Sequence, residues 1–253
     1  RGMKLLAFDT STEHLSIAFC REAEGGTQVW THDGVGGAMA SGALIPAVLA
    51  LLAQAGLRLG ELDAIAFGAG PGSFTGLRTA CAVAQGLGYG AGVPLLPVDT
   101  LLAVAEDARH ARAPQGEALQ VVAVLDARMD EVYAARYAWN GTRWSPGGDW
   151  SVGKPEALAG EGPADGAGWV VAGNAFEAYG DRLLPGWPRL VARPNAGALL
   201  RLAPALLAAG QAVPAAQALP RYIRDKVAKT TEERAREKAA ALASSSTALP
   251  PPS

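Results

Sequence analysis

Residues 64–78 read Ala-Ile-Ala-Phe-Gly-Ala-Gly-Pro-Gly-Ser-Phe-Thr-Gly-Leu-Arg: an apolar strand, a glycine-rich loop and the opening of a helix. Gly68, Gly70 and Gly72 admit positive φ and close backbone approach, Pro71 stiffens the turn, and Ser73 can cap a helix beginning near Phe74. A helix N-terminus in this setting can face an anion or another polypeptide. Neither familiar nucleotide signature is complete. A dinucleotide fingerprint starting at Gly68 requires glycine where Ser73 stands, and a Walker loop requires Gly-Lys where Gly76-Leu77 stands.

Two acids could do chemistry with that loop. Asp9 ends the apolar run Lys4–Phe8 and Asp126 ends the run Val121–Leu125. Acids at such bends can approach phosphates and Mg²⁺, because hard cations take oxygen ligands; the alternative is that each aspartate caps its own turn. The cofactor-binding candidates are therefore Asp9, Gly70, Gly72 and Asp126. Against a nucleotide site, Gly173-Asn174-Ala175 offers a single glycine where close approach to a nucleoside would be needed. His14, His32 and His110 are far apart, with no histidine pair at helical spacing. No metal site and no catalytic residue is expected in this chain.

The elements around these residues repeat. Lys4–Phe8, a polar turn and Leu15–Cys20 form a hairpin; Val121–Leu125, a turn and Val132–Tyr137 form another. Helix-like and strand-like segments follow the first (44–55, 65–67, 74–88, 95–98) and the second (169–172, 176–184, 198–209). A mixed α/β unit occurring twice resembles the duplicated actin-like (ASKHA, ribonuclease-H-like) two-lobed fold. The expected division is 3–103 for the first lobe, with the glycine loop and partner-facing helices, and 104–225 for the second. Residues 226–253, charged and then rich in Ala, Ser and Pro, read as a disordered tail.

Composition narrows the function. With 49% hydrophobic residues and a net charge of -2, the chain can bury a sizeable core but lacks a broad basic face, so RNA contact is expected only through partners. Two cysteines, Cys20 and Cys81, suit a reducing compartment. Arg1-Gly2 reads as a remnant ahead of Met3, no signal segment is evident, and the expected location is cytoplasmic. Residues 34–57 carry no charge, yet Gly36, Gly37, Gly42 and Pro46 leave an apolar helix only over 44–55, short of the ~20 residues of a membrane span. That helix, including Leu44 and Ile45, offers one apolar surface. Gly76, Ala80, Ala84 and Gly88 form a stripe of small side chains along the helix after the glycine loop, expected to admit a partner helix while Leu77, Cys81 and Leu87 face the sheet.

Four separated motifs carry a family resemblance: residues 5–12 (Leu-Leu-Ala-Phe-Asp-Thr-Ser-Thr), the loop 66–78, residues 126–133 (Asp-Ala-Arg-Met-Asp-Glu-Val-Tyr) and residues 220–225 (Pro-Arg-Tyr-Ile-Arg-Asp). In this order, from Met3 to about Asp225, they resemble the TsaB (YeaZ) family. The resemblance implies a bacterial accessory subunit in formation of N6-threonylcarbamoyladenosine at position 37 of tRNAs reading codons that begin with A. It implies a heterodimer with the catalytic TsaD and action with the ATPase TsaE; a homodimer of the isolated chain stays open on the sequence alone. ATP and a metal belong to partner subunits, and this chain requires no cofactor. Ala40-Ser41-Gly42-Ala43 stands where family members often carry a histidine and an arginine. The alternative reading is an independent ATPase or a glycoprotease-like metalloenzyme of the actin-like superfamily.

Overall fold

The structure, a computed structural model, describes residues 2–112, 116–160 and 162–222; residues up to Arg221 form one compact unit. The tail expected over 226–253 lies outside the described residues.

Strands β1 (Lys4–Asp9), β2 (His14–Ala23), β3 (Gly26–Val35), β4 (Ala64–Gly70) and β5 (Leu95–Asp99) form one sheet in the order β3-β2-β1-β4-β5. In the second sheet β6 (Leu119–Arg128), β7 (Glu131–Trp139), β8 (Trp144–Pro146), β10 (Trp169–Gly173) and β11 (Arg189–Val191) run β11-β10-β6-β7-β8, and β9 (Ser151–Gly153) also pairs with β7. Each sheet has an antiparallel hairpin at its centre, β1–β2 or β6–β7, and adds two parallel strands beyond the first hairpin strand. The shared order makes the duplication visible, and the α/β two-lobed fold expected from the repeated hairpin is the fold observed.

Alternation along the strands builds a layered core. Leu6 and Phe8 of β1 and Ile65 and Phe67 of β4 pack outward against α1 (Ala40–Gln54) and α2 (Phe74–Ala91). Leu5, Ala7, Ala64 and Ala66 point the other way, against α5 (Ala196–Ala208). α3 (Thr100–Arg112) packs Leu101, Val104 and Ala108 on Val121, Ala123 and Leu125 of the second sheet while Ala103 joins the first-sheet cluster. Beyond the second sheet, Val122, Val124 and Val171 bury against Leu183, Trp187 and Tyr179 of α4 (Phe176–Tyr179).

α3 and α5 thus share the layer between the sheets, and the expected 103/104 division falls within α3. At the centre of that layer Glu106, 2% exposed, accepts hydrogen bonds from Arg109 (2.7 and 2.8 Å), Arg201 (2.8 Å) and the Trp144 indole (3.0 Å). Burial alone would raise the Glu106 carboxyl; these donors outweigh it and hold the group below its ordinary value. One carboxylate therefore ties α3, α5 and β8 together.

Several elements depart from expectation. β3 was not anticipated, because nine of its ten residues are exposed and no apolar alternation marks it. α3 was also not anticipated, although its apolar positions face two sheets. The segment 176–184 is only one turn of α-helix followed by the 3-10 turn Gly180–Arg182.

Candidate functional site

The glycine loop is a packing corner. Ser73 Oγ accepts from the Gly76 N–H (3.4 Å), the cap expected from sequence, and the Ser73 N–H donates to the Ser11 carbonyl (2.8 Å). Gly70 has φ +126°, and a Cβ there would lie 2.3 Å from the carbonyl oxygen of Arg221, whose N–H donates to Ala69 (2.6 Å) and whose guanidinium pairs with Asp99. A Cβ on Gly72 would lie 2.6 Å from the Ser11 carbonyl. These glycines are required because other backbone passes close to them.

The two acids play different parts. Asp9 is 1% exposed: its Oδ1 accepts from the N–H (3.0 Å) and hydroxyl (2.7 Å) of Ser11, while its buried Oδ2 has no hydrogen-bond partner and rests against Gly68. Burial raises its carboxyl, and the Ser11 donors offset this only in part. Asp126 caps its own turn, its Oδ1 accepting from the Arg128 N–H (2.9 Å) and the Tyr179 hydroxyl (2.8 Å). Burial first, and then Asp126, push the Tyr179 hydroxyl up to about 12.

A cleft of about 880 Å³ opens between the two sheets' hairpins. Its walls include residues 11–14, 72–75 and 125–128 with Tyr133, Asn174 and Glu177. Gly72 and Asp126 therefore reach the cleft; Asp9 and Gly70 do not line it, and the four cofactor candidates do not converge on one ligand position. Glu13, Asp126 and Glu177 face a single arginine there, Arg128, which pairs with Glu13 at 2.7 Å. Among the described residues no group of three or more His, Cys, Asp or Glu is placed to hold a metal ion.

The small-residue stripe corrects the expectation made for it. Gly76, Ala80, Ala84 and Gly88 are all buried within the chain. A Cβ on Gly76 would lie 1.8 Å from the Thr10 carbonyl, and one on Gly88 would lie 2.7 Å from Leu95. Leu77 and Cys81 are buried beside them. The reason is angular: neighbours in sequence are ~100° apart on a helix, so residues 76/80/84/88 and 77/81 share one wide inward face. Leu44 likewise is fully buried, and of the six residues expected at an interface only Ile45, 42% exposed, reaches solvent.

The outer face of the same two helices is the open one. Ala82, Gly86, Tyr89 and Gly90 of α2 are exposed beside Ile45, Leu49 and Ala50 of α1, with Met39 and Phe74 at the helix starts. A Cβ on Gly86 or Gly90 would meet nothing within 4 Å. The α1 side has no charge, and only 28% of Gly37–Gln54 is buried. By length and composition alone that segment is apolar enough to cross a membrane, but Leu44, Val48, Leu51 and Leu52 are committed to the first sheet. The missed signal was a second small-residue stripe, Ala82-Gly86-Gly90, about 200° around the helix from the first.

Fold and site together define a two-lobed α/β protein with a polar cleft and an exposed two-helix face of small and apolar residues with Arg78 near the α2 start. Residues 40–232 match the family model described as TsaD: tRNA N6-adenosine threonylcarbamoyltransferase, which places the chain in that class. Within it, the chain is 33% identical over 241 residues to the tRNA threonylcarbamoyladenosine biosynthesis protein TsaB of Haemophilus influenzae, covering 90% of this chain and 96% of that protein. It is 35% identical over 238 residues to TsaB of Escherichia coli, covering 89% and 96%. The solved structure of YeaZ from Pseudomonas aeruginosa superposes with a TM-score of 0.75 at 38% identity, over 87% of this chain and all of that one. The chain belongs to the TsaB (YeaZ) family of tRNA threonylcarbamoyladenosine biosynthesis proteins.

Proposed function

We propose that the chain is a noncatalytic scaffold and activator of tRNA threonylcarbamoylation, docking the catalytic TsaD-type subunit on the outer face of α1 and α2. The observation that carries this reading is that outer face, free of charge on the α1 side, with Ile45, Leu49 and Tyr89 42%, 47% and 82% exposed around the small residues Ala82, Gly86 and Gly90 and with Arg78, over the Phe74 ring, near the α2 start. Small residues let a second pair of helices approach closely, and the flanking apolar side chains supply the buried area. Position 37 of tRNAs reading A-starting codons is the target, and tRNA and the TsaE-type ATPase join through the complex. A self-dimer on the same face is the competing assembly.

The cleft supports the noncatalytic half of the reading. Three carboxylates against one arginine repel a polyphosphate, and Asp126 is occupied in capping its turn. Leu49→Glu, which adds a charge to the face without touching the core, should abolish co-purification with the TsaD-type subunit while leaving the fold intact. Normal co-purification of that variant would sink the docking assignment.

A further inference from the structure

Strand β3 is a free edge of the first sheet. It runs for 10 residues, where a typical strand has about 5–6, and pairs with β2 from His14↔Val35 to Ala23↔Gly26 without a bulge. One step beyond that ladder, the Gly36 N–H donates to the Glu13 carbonyl (2.8 Å). Hydrogen-bonded pairs alternate along an antiparallel ladder, so Gly34, His32, Trp30, Gln28 and Gly26 turn their N–H and C=O groups toward β2. Thr27, Val29, Thr31, Asp33 and Val35 turn theirs outward, and none of those outward groups has a partner among the described residues. Edge strands are usually blunted by proline, lysine, a bulge or shortness. β3 has no proline, no lysine and no bulge, and its one carboxylate, Asp33, stands near its end. A long open edge of this kind takes up another strand through main-chain hydrogen bonds.

We propose that this edge is a self-association surface, occupied by β3 of a second copy of the chain, antiparallel and centred on Thr31. The strand complements itself. With Thr31 opposite Thr31 of the second copy, Val29 meets Asp33 and Thr27 meets Val35, and each such pair exchanges two hydrogen bonds. No other antiparallel register uses every outward group. The same register sets Trp30 opposite His32, an aromatic cross-strand pair. Charge agrees with it. The two Asp33 carboxylates are offset by about 13 Å along the strands, beyond the ~8 Å screening length at physiological salt. Glu24 at the hairpin tip comes to lie beside residues 36–38 of the second copy, in the stretch 34–57 that carries no charge. The two five-stranded sheets then run on as one. A single strand edge buries less than the ~1,200 Å² of a standard complex, so the dimer is reversible, with Kd between about 1 μM and 1 mM. This edge is separate from the outer face of α1 and α2, and the inference does not depend on what docks there.

Sedimentation velocity on the full chain at low ionic strength, from about 1 μM to 1 mM, tests this in an Ala82→Glu background that removes self-association through α1 and α2. Dimers should still form. Adding Thr31→Lys sets two like charges directly opposite each other and should raise Kd about fivefold or more, whereas Val29→Lys faces Asp33 twice and should lower it about two- to thirtyfold. Both positions are exposed, so neither lysine disturbs the core. Hydrogen exchange at high chain concentration should slow at the amides of Val29, Thr31 and Asp33, while Gln28, Trp30 and His32, already bonded to β2, stay unchanged. A chain still monomeric at about 1 mM, which would leave the edge to a strand of another protein, overturns the proposal. So does a Thr31→Lys dimer as tight as its parent, a Val29→Lys dimer weaker than its parent, or exchange at Thr31 that does not change with concentration.

Discussion

Ala80 and Ala82 are two residues apart on α2, about 200° around the helix, and glutamate at each position separates internal packing from docking. Ala80 is fully buried in the cluster that contains Phe8, Ile65 and Phe67. A glutamate there places an unpaired carboxylate in that core, costing several kcal/mol, and its extra volume adds about 1–3 kcal/mol. The sum is comparable with the whole stability of a typical domain, about 5–15 kcal/mol, so Ala80→Glu should not accumulate as folded protein. Ala82 is exposed, and a glutamate there should change stability by no more than about 0.5 kcal/mol. If α1 and α2 dock a partner, the same glutamate and its added volume enter the contact, where Arg78, one turn before it, compensates the charge only in part. A loss of about 3 kcal/mol then weakens association roughly a hundredfold. Circular dichroism melts establish folding, and titration calorimetry with the TsaD-type subunit reads affinity. An Ala82→Glu chain that folds and binds within threefold of wild type would refute the assignment of the outer face. A normally folded Ala80→Glu would refute the packing argument.

Three further outcomes follow from the buried groups and the loop. Asp9 has a raised carboxyl, so its neutral form stabilises the fold fully below the ordinary value of 3.8 and that contribution is lost as pH rises toward the folded value. Asp9→Asn should therefore gain in urea midpoint over wild type as pH increases from 4 to 7.5; a constant difference would contradict this. Glu106 has a lowered carboxyl, so its contribution is present above the ordinary 4.5 and is lost on acidification. Glu106→Gln should cost about 3–5 kcal/mol at pH 7, because it removes the negative charge between Arg109 and Arg201 and sets an amide NH2 against donors that a second carboxylate oxygen had accepted, and its deficit in chemical denaturation should shrink below pH 4.5. Gly70→Ala would set a Cβ 2.3 Å from the Arg221 carbonyl at φ +126°; a loss of about 1–3 kcal/mol and faster hydrogen exchange at the Arg221 amide are expected. Unchanged exchange there would contradict the close contact.

The repeated hairpin was legible because both copies are apolar runs ending in aspartate, and burial on both faces of β1 and β6 requires such runs. The cap at Ser73 was legible for the same local reason. The exposed face of α2 was not. α2 carries two small-residue stripes on opposite sides, and which one faces inward depends on Thr10, in the turn after β1, and Leu95 of β5. Asp9 and Asp126 look equivalent in sequence, yet one is enclosed between Ser11 and Gly68 and the other lines the cleft, its Oδ1 taken by the Arg128 N–H and the Tyr179 hydroxyl from α4. Gly70 signalled a special backbone position, but the neighbour that makes it necessary is Arg221, more than a hundred residues on.

Under the proposed function the chain activates a transferase through α1 and α2 and performs no transfer itself. The direct measurement is formation of N6-threonylcarbamoyladenosine on tRNA, with the TsaD-type and TsaE-type subunits and the threonylcarbamoyl donor held constant and this chain omitted, supplied as wild type, or supplied as Ala82→Glu. Product is expected only with the wild-type chain, none from the chain without the TsaD-type subunit, and background levels with Ala82→Glu. Product formed by this chain without the TsaD-type subunit, or undiminished product with Ala82→Glu, would contradict it.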